Sequence, residues 1–135
     1  MTRRELREHI FTLIFMADFH TSQEMPRMVG EYFSLLDPPA DEKSYNYIRE
    51  KFLKILDLFP TIDSTINEKA EGWTVDRMGR VELSLIRLGA YEILYDEEIP
   101  TSVAINEAVE LAKKYGPEDA RAFVNGVLAK FVVVE

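Results

Sequence analysis

Apolar residues recur at intervals of three and four along most of this chain, and the alternation typical of β-strands is nearly absent. The strongest segment runs from Val81 to Leu94, where apolar side chains occupy almost every face of the predicted helix. A helix without a polar face is normally central and covered by other helices on most sides. The chain is therefore predicted to be an all-α bundle of about seven helices.

Helix-breaking residues divide this pattern. The clearest linker runs from Asp37 to Ala40 and contains two prolines, and Gly72 ends a polar helix that follows Pro60. A chain of 135 residues fits a single domain, 1–135. Within it, the pattern predicts an amino-terminal helical subdomain of about residues 1–70 and a carboxy-terminal helical subdomain of about 71–135.

Three features of the last helical segment lead to predictions. Pro117 suits the first position of a seventh helix. Gly126 lies inside the helical pattern, so it is predicted to be a site of close helix packing. The run from Val132 to Val134 is predicted to be a frayed extension without a function.

Composition and motif content argue against an enzyme. The chain has no cysteine, which excludes disulfides, thiolate nucleophiles and zinc fingers. His9 and His20 would lie about 16 Å apart on one helix, too far to share a metal. Because no phosphate-binding glycine loop or nucleophile motif is present, no catalysis, cofactor or metal is predicted. No apolar run approaches the ~20 residues that span a bilayer, so no membrane contact and a cytoplasmic location are expected.

The net charge of −8 argues against a broad basic face for duplex nucleic acid, but it leaves room for a small basic patch. In the first predicted helix, Arg3, Arg4 and Arg7 flank the apolar face, and Phe11 and Phe15 continue this flank. Arginines beside aromatic rings suit single-stranded RNA, whose phosphates need charge and whose unstacked bases need a platform. The alternative is a solvated first turn followed by two buried phenylalanines.

The second half of the chain contains several motifs in a characteristic order. They are Gly72–Leu83 (GWTVDRMGRVEL), Ile86–Leu88 with Ala90–Leu94, Ile99-Pro100 with Val103–Gly116, and Glu118-Asp119 with Phe123–Leu128. Together these motifs closely resemble the NusB family over about residues 72–130. The arginine-rich start matches that family more weakly, and residues 20–70 match mainly in helical pattern and length.

The resemblance implies a bacterial transcription antitermination factor built of two packed helical bundles. NusB-like proteins bind the boxA element of ribosomal RNA leaders together with NusE, a ribosomal protein of the small subunit, in a complex with RNA polymerase. By position, the resemblance implies RNA contacts for Arg3, Arg4, Arg7, Asp119 and Phe123. It implies a surface facing NusE at Phe15 and Glu82, with the loop around Trp73 close to that partner.

Several of these residues also have a structural explanation. A carboxylate such as Asp119 near a helix N-terminus interacts favourably with the helix dipole, whatever its function. Phe123 has the spacing of a core residue. Trp73 could serve as a structural residue that fills space in the protein. Glu82 lies in an otherwise apolar helix and needs a partner. That partner could belong to the same chain, with Arg77 and Arg80 as candidates.

The sequence departs from the family pattern at three places. Glu5 interrupts the arginine run, Phe15 stands where many relatives carry tyrosine, and Thr101-Ser102 replaces a pair in which many relatives have a lysine. With the negative net charge, these departures predict RNA binding that is weak alone and strengthened by NusE. Two other functions stay open: a homodimeric helical scaffold without an RNA role, and an RNA-binding module related to that of RNA methyltransferases. The sequence is compatible with a monomer and with a homodimer.

Overall fold

The computed structural model describes residues 1–132. Within that range the chain forms seven α-helices and a short 3₁₀ turn, Val75–Arg77, and it contains no strand. The helices are α1 (Arg3–Ala17), α2 (Met25–Ser34), α3 (Glu42–Asp57), α4 (Phe59–Lys69), α5 (Arg80–Tyr95), α6 (Thr101–Tyr115) and α7 (Ala120–Ala129). The prediction of an all-α protein with about seven helices is confirmed. Val133 and Val134, which the sequence predicts to fray, lie outside the described residues.

The chain divides into two compact units, Met1–Asp57 and Leu58–Glu135. Helix α4 belongs to the second unit because it packs against α5. Its fully buried residues, Ile62 and Ile66, stand about one turn apart. The sequence instead places the boundary after this helix, at about residue 70, because so narrow an apolar stripe gives little indication of its partner. That the two units make one domain stays a prediction.

In the first unit, α1 and α2 both pack on α3. Helix α1 begins with a capping box at Thr2, whose hydroxyl oxygen accepts the N–H of Glu5 at 3.1 Å. In return, the carboxylate of Glu5 accepts the N–H of Thr2 at 3.0 Å. The fully buried apolar side chains of this unit are Ile10, Leu13, Ile14, Met25, Ile48, Phe52 and Ile55. All except Met25 belong to α1 and α3, so these two helices form most of the core.

In the second unit, α5 packs against α4, α6 and α7. Ten consecutive residues of this helix, from Leu83 to Glu92, are buried. A helix buries every face only when neighbours surround it. The central position predicted from its apolar pattern is therefore confirmed.

The buried stretch of α5 contains a charged residue, Arg87, that pairs with Asp63 of α4. Its Nε and Nη2 atoms each donate to one carboxylate oxygen at 2.8 Å. Its guanidinium carbon lies 4.4 Å from the ring centre of Phe59. Only 7% of the Arg87 side chain and 23% of the Asp63 side chain are exposed. This pair is a polar link between α4 and α5.

Close packing between α5 and α7 depends on Gly89, and the prediction that Gly126 has this role is wrong. A Cβ added at Gly89 would come 2.6 Å from Cδ1 of Leu128. Apart from its chain neighbours and the backbone of its own helix, a Cβ added at Gly126 would meet no described atom within 4 Å. Both glycines lie inside helices, but only Gly89 lies on a face that a neighbouring helix covers.

We expect Gly89→Ala to lower the free energy of unfolding and Gly126→Ala to raise it. The methyl group at 89 displaces Leu128 from its packed position, which costs about 1–3 kcal/mol. The methyl group at 126 restricts the unfolded chain at an exposed helical position and adds about 0.5–1 kcal/mol. Urea unfolding followed by circular dichroism measures both changes. Equal changes in the two variants would contradict the packing role of Gly89.

Of the helices within residues 1–132, none combines the length and the apolar composition that crossing a membrane requires.

Candidate nucleic-acid interface

The arginine cluster at the start of α1 is only partly on the surface. Arg3 and Arg4 are exposed, whereas Arg7 keeps 5% of its surface exposed. Arginine readily buries its aliphatic stem along apolar surface, so a position that flanks the apolar face loses most of its exposure. Two of the three predicted phosphate contacts are therefore presented to solvent, and the third is buried.

Glu5 lies among these arginines, but the capping box holds its carboxylate. Hydrogen bonds from Thr2, first from its backbone N–H and then from its side chain, hold the pKa of Glu5 below its ordinary value. The carboxylate is thus ionised at neutral pH. It lies at the start of the helix, where its negative charge interacts favourably with the helix dipole. Glu5 therefore caps the helix and also reduces the positive charge of this turn by one unit.

A row of phenylalanines spaced four residues apart follows α1 and continues past its end. Phe11 is 5% exposed, Phe15 is half-buried, and Phe19 is 61% exposed. The ring centres of Phe11 and Phe15 are 6.5 Å apart, and those of Phe15 and Phe19 are 5.4 Å apart. The row therefore runs from the interior to the surface, with Phe15 at the transition.

The two histidines take part in local contacts of the first unit. The Nδ1 atom of His9 lies 2.6 Å from the hydroxyl oxygen of Tyr32, which joins α1 to α2. Burial lowers the pKa of His9 below its ordinary value, so its ring is neutral at pH 7. His20 lies 3.7 Å from the carboxylate of Glu24. At pH 7, His9 therefore adds no charge to the arginine cluster.

In the second unit, two predicted site residues are in contact. The rings of Trp73 and Phe123 have centres 5.2 Å apart and planes at 73°, the edge-to-face arrangement that aromatic quadrupoles favour. The guanidinium carbon of Arg77 lies 5.6 Å from the Trp73 ring centre, within cation–π range. Trp73 is 44% exposed and Phe123 is half-buried. These three residues are called the Trp73 cluster below.

The chain just before Trp73 makes a defined turn and contacts the end of α7. Gly72 adopts a φ of +81°, a conformation that glycine takes without strain. This turn lets the N–H of Trp73 donate to the carbonyl of Ala70 at 2.8 Å. The Nζ atom of Lys130 lies 3.2 Å from the carboxylate of Glu71, which links the loop to the end of α7. The turn fixes the backbone at Trp73, whose ring contacts Phe123 of α7.

Asp119 immediately precedes α7, which begins at Ala120 and not at the predicted Pro117. Pro117 belongs to the preceding turn, where its carbonyl accepts the N–H of Ala120 at 2.9 Å. The Asp119 side chain is exposed and makes no capping hydrogen bond with any of residues 1–132. Phe123 follows one turn later on the same face of the helix. The two predicted RNA contacts of α7 are therefore neighbours.

Glu82 is half-buried in the first turn of α5, and its carboxylate lies over Gly79, where a Cβ would collide with it. Of the two arginines considered as its partners, Arg80 donates to two carbonyls of the preceding loop at 2.8 and 2.9 Å. Arg77 belongs to the Trp73 cluster. Both arginines therefore stabilise the loop.

The sequence gives no prediction for Phe19 and considers Arg77 only as a partner for Glu82, not as a neighbour of Trp73. Each stands four residues after an aromatic residue that is predicted, Phe15 and Trp73 respectively. Side chains at this spacing meet when the backbone is helical. The signal is weak because Phe19 lies beyond the end of α1 and Trp73 lies in a loop.

The NusB family model matches residues 4–133, almost the whole chain. The chain belongs to the NusB family. It is 47% identical over 131 residues to the transcription antitermination protein NusB of Agathobacter rectalis, which covers 97% of this chain and 99% of that protein. It is 44% identical over 132 residues to the NusB of Lachnoclostridium phytofermentans, which covers 98% of this chain and 99% of that protein.

Solved structures share the fold. The structure is similar to T. maritima NusB, with a TM-score of 0.81 and 30% identity over 97% of this chain and 90% of that chain. It is similar to NusB from Aquifex aeolicus, with a TM-score of 0.82 and 27% identity over 96% of this chain and 86% of that chain. A chain in the crystal structure of a plectonemic RNA supercoil matches with a TM-score of 0.79 and 27% identity, over 96% of this chain and 92% of that chain.

Proposed function

We propose that this protein is a transcription antitermination factor that acts on ribosomal RNA operons. It binds single-stranded boxA-type RNA together with NusE, in the antitermination complex that accompanies RNA polymerase. The observation that carries the proposal is the similarity, over almost the full length, to transcription antitermination proteins NusB. The proposed role is one of binding, without catalysis, cofactor or metal. Bacterial transcription takes place in the cytoplasm, so this function places the protein there.

In the first unit, Arg3 and Arg4 supply charge for RNA phosphates. Both are exposed on the first turn of α1, and the planar guanidinium group binds phosphate oxygens in a bidentate manner. Arg7 is the third proposed contact, and its burial means that its side chain must move outward to reach a phosphate. The first two arginines are therefore the ones to test.

In the second unit, Asp119 and Phe123 supply contacts to bases. A carboxylate repels phosphates but accepts hydrogen bonds from base amino groups, such as N4 of cytosine. Asp119 is exposed and is thus suited to reading a base edge. The ring of Phe123 offers a surface on which an unstacked base can lie.

Phe15 and Glu82 are the proposed contacts for NusE. Aromatic side chains are enriched in protein interfaces, and the half-buried Phe15 adjoins the exposed ring of Phe19. The half-buried carboxylate of Glu82 suits a charge-assisted hydrogen bond with a basic group of the partner. The family resemblance also implies a position near NusE for the loop around Trp73.

Replacing Arg3 and Arg4 by alanine is expected to weaken RNA binding and to flatten its salt dependence. Each phosphate contact on a single strand adds about 0.7 to the slope of log affinity against log salt, so the double variant should lose about 1.4. Fluorescence anisotropy of a labelled single-stranded boxA-type RNA, measured at several salt concentrations, gives the slope. Because both side chains are exposed, circular dichroism should show unchanged helical content.

The matched control is Arg27→Ala combined with Arg49→Ala, which removes the same charge from exposed positions of α2 and α3. This variant should change the slope much less. Equal losses in the two double variants would mean that only net charge matters. An unchanged slope after Arg3→Ala and Arg4→Ala would remove the start of α1 from the RNA site.

A further inference from the structure

Trp73 is unusual in being well exposed and yet held in place by two defined contacts. The residue is 44% exposed, its ring meets Phe123 edge to face, and the guanidinium group of Arg77 lies over that ring. A ring that served only to fill the interior would be covered by its neighbours. A ring that is rigid and exposed is instead suited to a planar ligand, because little conformational entropy is lost when the ligand stacks on it.

We propose that the Trp73 cluster is a base-stacking site for single-stranded RNA, so that Trp73 and Arg77 belong to the RNA-binding surface. This inference rests on the proposed RNA-binding function and adds two residues to it. It reassigns Trp73, which the resemblance places near NusE, and gives a role to Arg77, which the resemblance leaves unassigned.

The geometry of the cluster matches what an unstacked base requires. Bases stack on aromatic rings and on arginine guanidinium planes. Arg77 lies over the Trp73 ring and is itself exposed, and Trp73 remains 44% exposed beside its contact with Phe123, so a base can reach the uncovered part of the indole or the outer side of the guanidinium group. Arg77 adds a second planar group, which lies over the indole ring.

Two cations near the cluster can contact RNA phosphates. Arg77 is exposed, and Lys130, the residue directly after α7, stands seven residues after Phe123. Lys130 pairs with Glu71, but the two side chains are 43% and 85% exposed. Because an exposed ion pair contributes little stability, Lys130 can exchange this carboxylate for an RNA phosphate at small cost.

The position of Asp119 also favours a base as the occupant. It lies one turn before Phe123 on the same helix face, and its carboxylate is exposed. A stacked base presents its amino groups at its edge, where an adjacent carboxylate accepts them. Stacking by the cluster and edge contact by Asp119 are thus compatible within one site of the second unit.

Trp73 is the only tryptophan of the chain, so its fluorescence reports on the cluster without labelling. Titrating the full chain with a short single-stranded boxA-type RNA is expected to quench this fluorescence in parallel with binding measured by anisotropy. Binding without any change in Trp73 fluorescence would overturn the inference while leaving the proposed function intact. A change caused by NusE but not by RNA would likewise overturn it. Failure of the RNA to bind at all would reject the proposed function and the inference together.

A set of variants tests stacking directly. Trp73→Leu is expected to weaken RNA affinity about tenfold, within the range of base–aromatic stacking, and Trp73→Phe should lose less because it keeps a ring. The loss should disappear with an RNA that is abasic at the stacked position, found by scanning one nucleotide at a time. The matched control is Tyr95→Leu, because Tyr95 is 42% exposed and lies at the opposite end of α5 from the loop. Equal losses in Trp73→Leu and Tyr95→Leu, or a loss that no abasic position removes, would contradict stacking.

Discussion

Replacing Asp63 by alanine should lower the free energy of unfolding by about 3–5 kcal/mol and lower Tm by roughly 10 °C or more. In the native protein its carboxylate accepts two hydrogen bonds of 2.8 Å from Arg87, whose side chain is only 7% exposed. The substitution removes this bidentate acceptor but leaves the guanidinium group buried. The desolvation cost of that charge then remains without its main compensation. Thermal and urea unfolding followed by circular dichroism measure the loss.

The exposed pair of Arg27 and Glu31 provides the control for this prediction. Its atoms are 3.3 Å apart, but the side chains are 84% and 58% exposed. Glu31→Ala should therefore change the free energy of unfolding by less than about 0.5 kcal/mol. Replacing both members of the buried pair, with Asp63→Leu and Arg87→Met, should recover part of the loss caused by Asp63→Ala. If Asp63→Ala lowers the free energy of unfolding no more than Glu31→Ala does, the buried pair is not more important for stability than the exposed one.

NusE is expected to raise the affinity of this protein for boxA-type RNA by at least about tenfold. Alone, the protein carries a net charge of −8, and only Arg3 and Arg4 of the three arginines proposed for phosphate contact are exposed. A partner that binds both protein and RNA makes the second contact intramolecular, and such linkage adds roughly 10²–10⁴ in favourable geometries. Anisotropy titrations with and without saturating NusE measure the difference.

The control for this experiment is a titration of the same RNA with NusE alone. It gives the affinity that the partner contributes by itself, so that only the excess counts as cooperation. Equal RNA affinity of this protein with and without NusE would reject cooperative binding.

The parts of the fold that could be predicted are those decided within one helix. The apolar circumference of the segment from Val81 to Leu94 indicates a central helix, because no solvated position could accommodate it. The residues between about 60 and 70 give a weaker signal, since Ile62 and Ile66 mark a face but do not identify α5 as its partner. The same limit explains Gly126, because a glycine shows close packing only when the neighbouring helix is known.

The candidate site was less predictable because its contacts depend on residues distant in sequence. The contact between Trp73 and Phe123 depends on the path of the loop after Gly72. Hydrophobic periodicity does not predict the path of a loop. The burial of the Arg7 side chain could not be predicted from the sequence either. Helical spacing places Arg7 beside the apolar face of α1. Whether a long amphipathic side chain is buried or exposed at such a position depends on the residues around it.

The link between the α4–α5 loop and α7 has a consequence for biosynthesis. Trp73 leaves the ribosome well before Phe123 and Lys130, since translation proceeds from the amino terminus and domains generally fold as units. A nascent chain that ends within α6 therefore has the indole ring without its aromatic neighbour. The surface that these residues form together comes into existence only after α7 has been synthesised and has docked, so an incomplete chain lacks it.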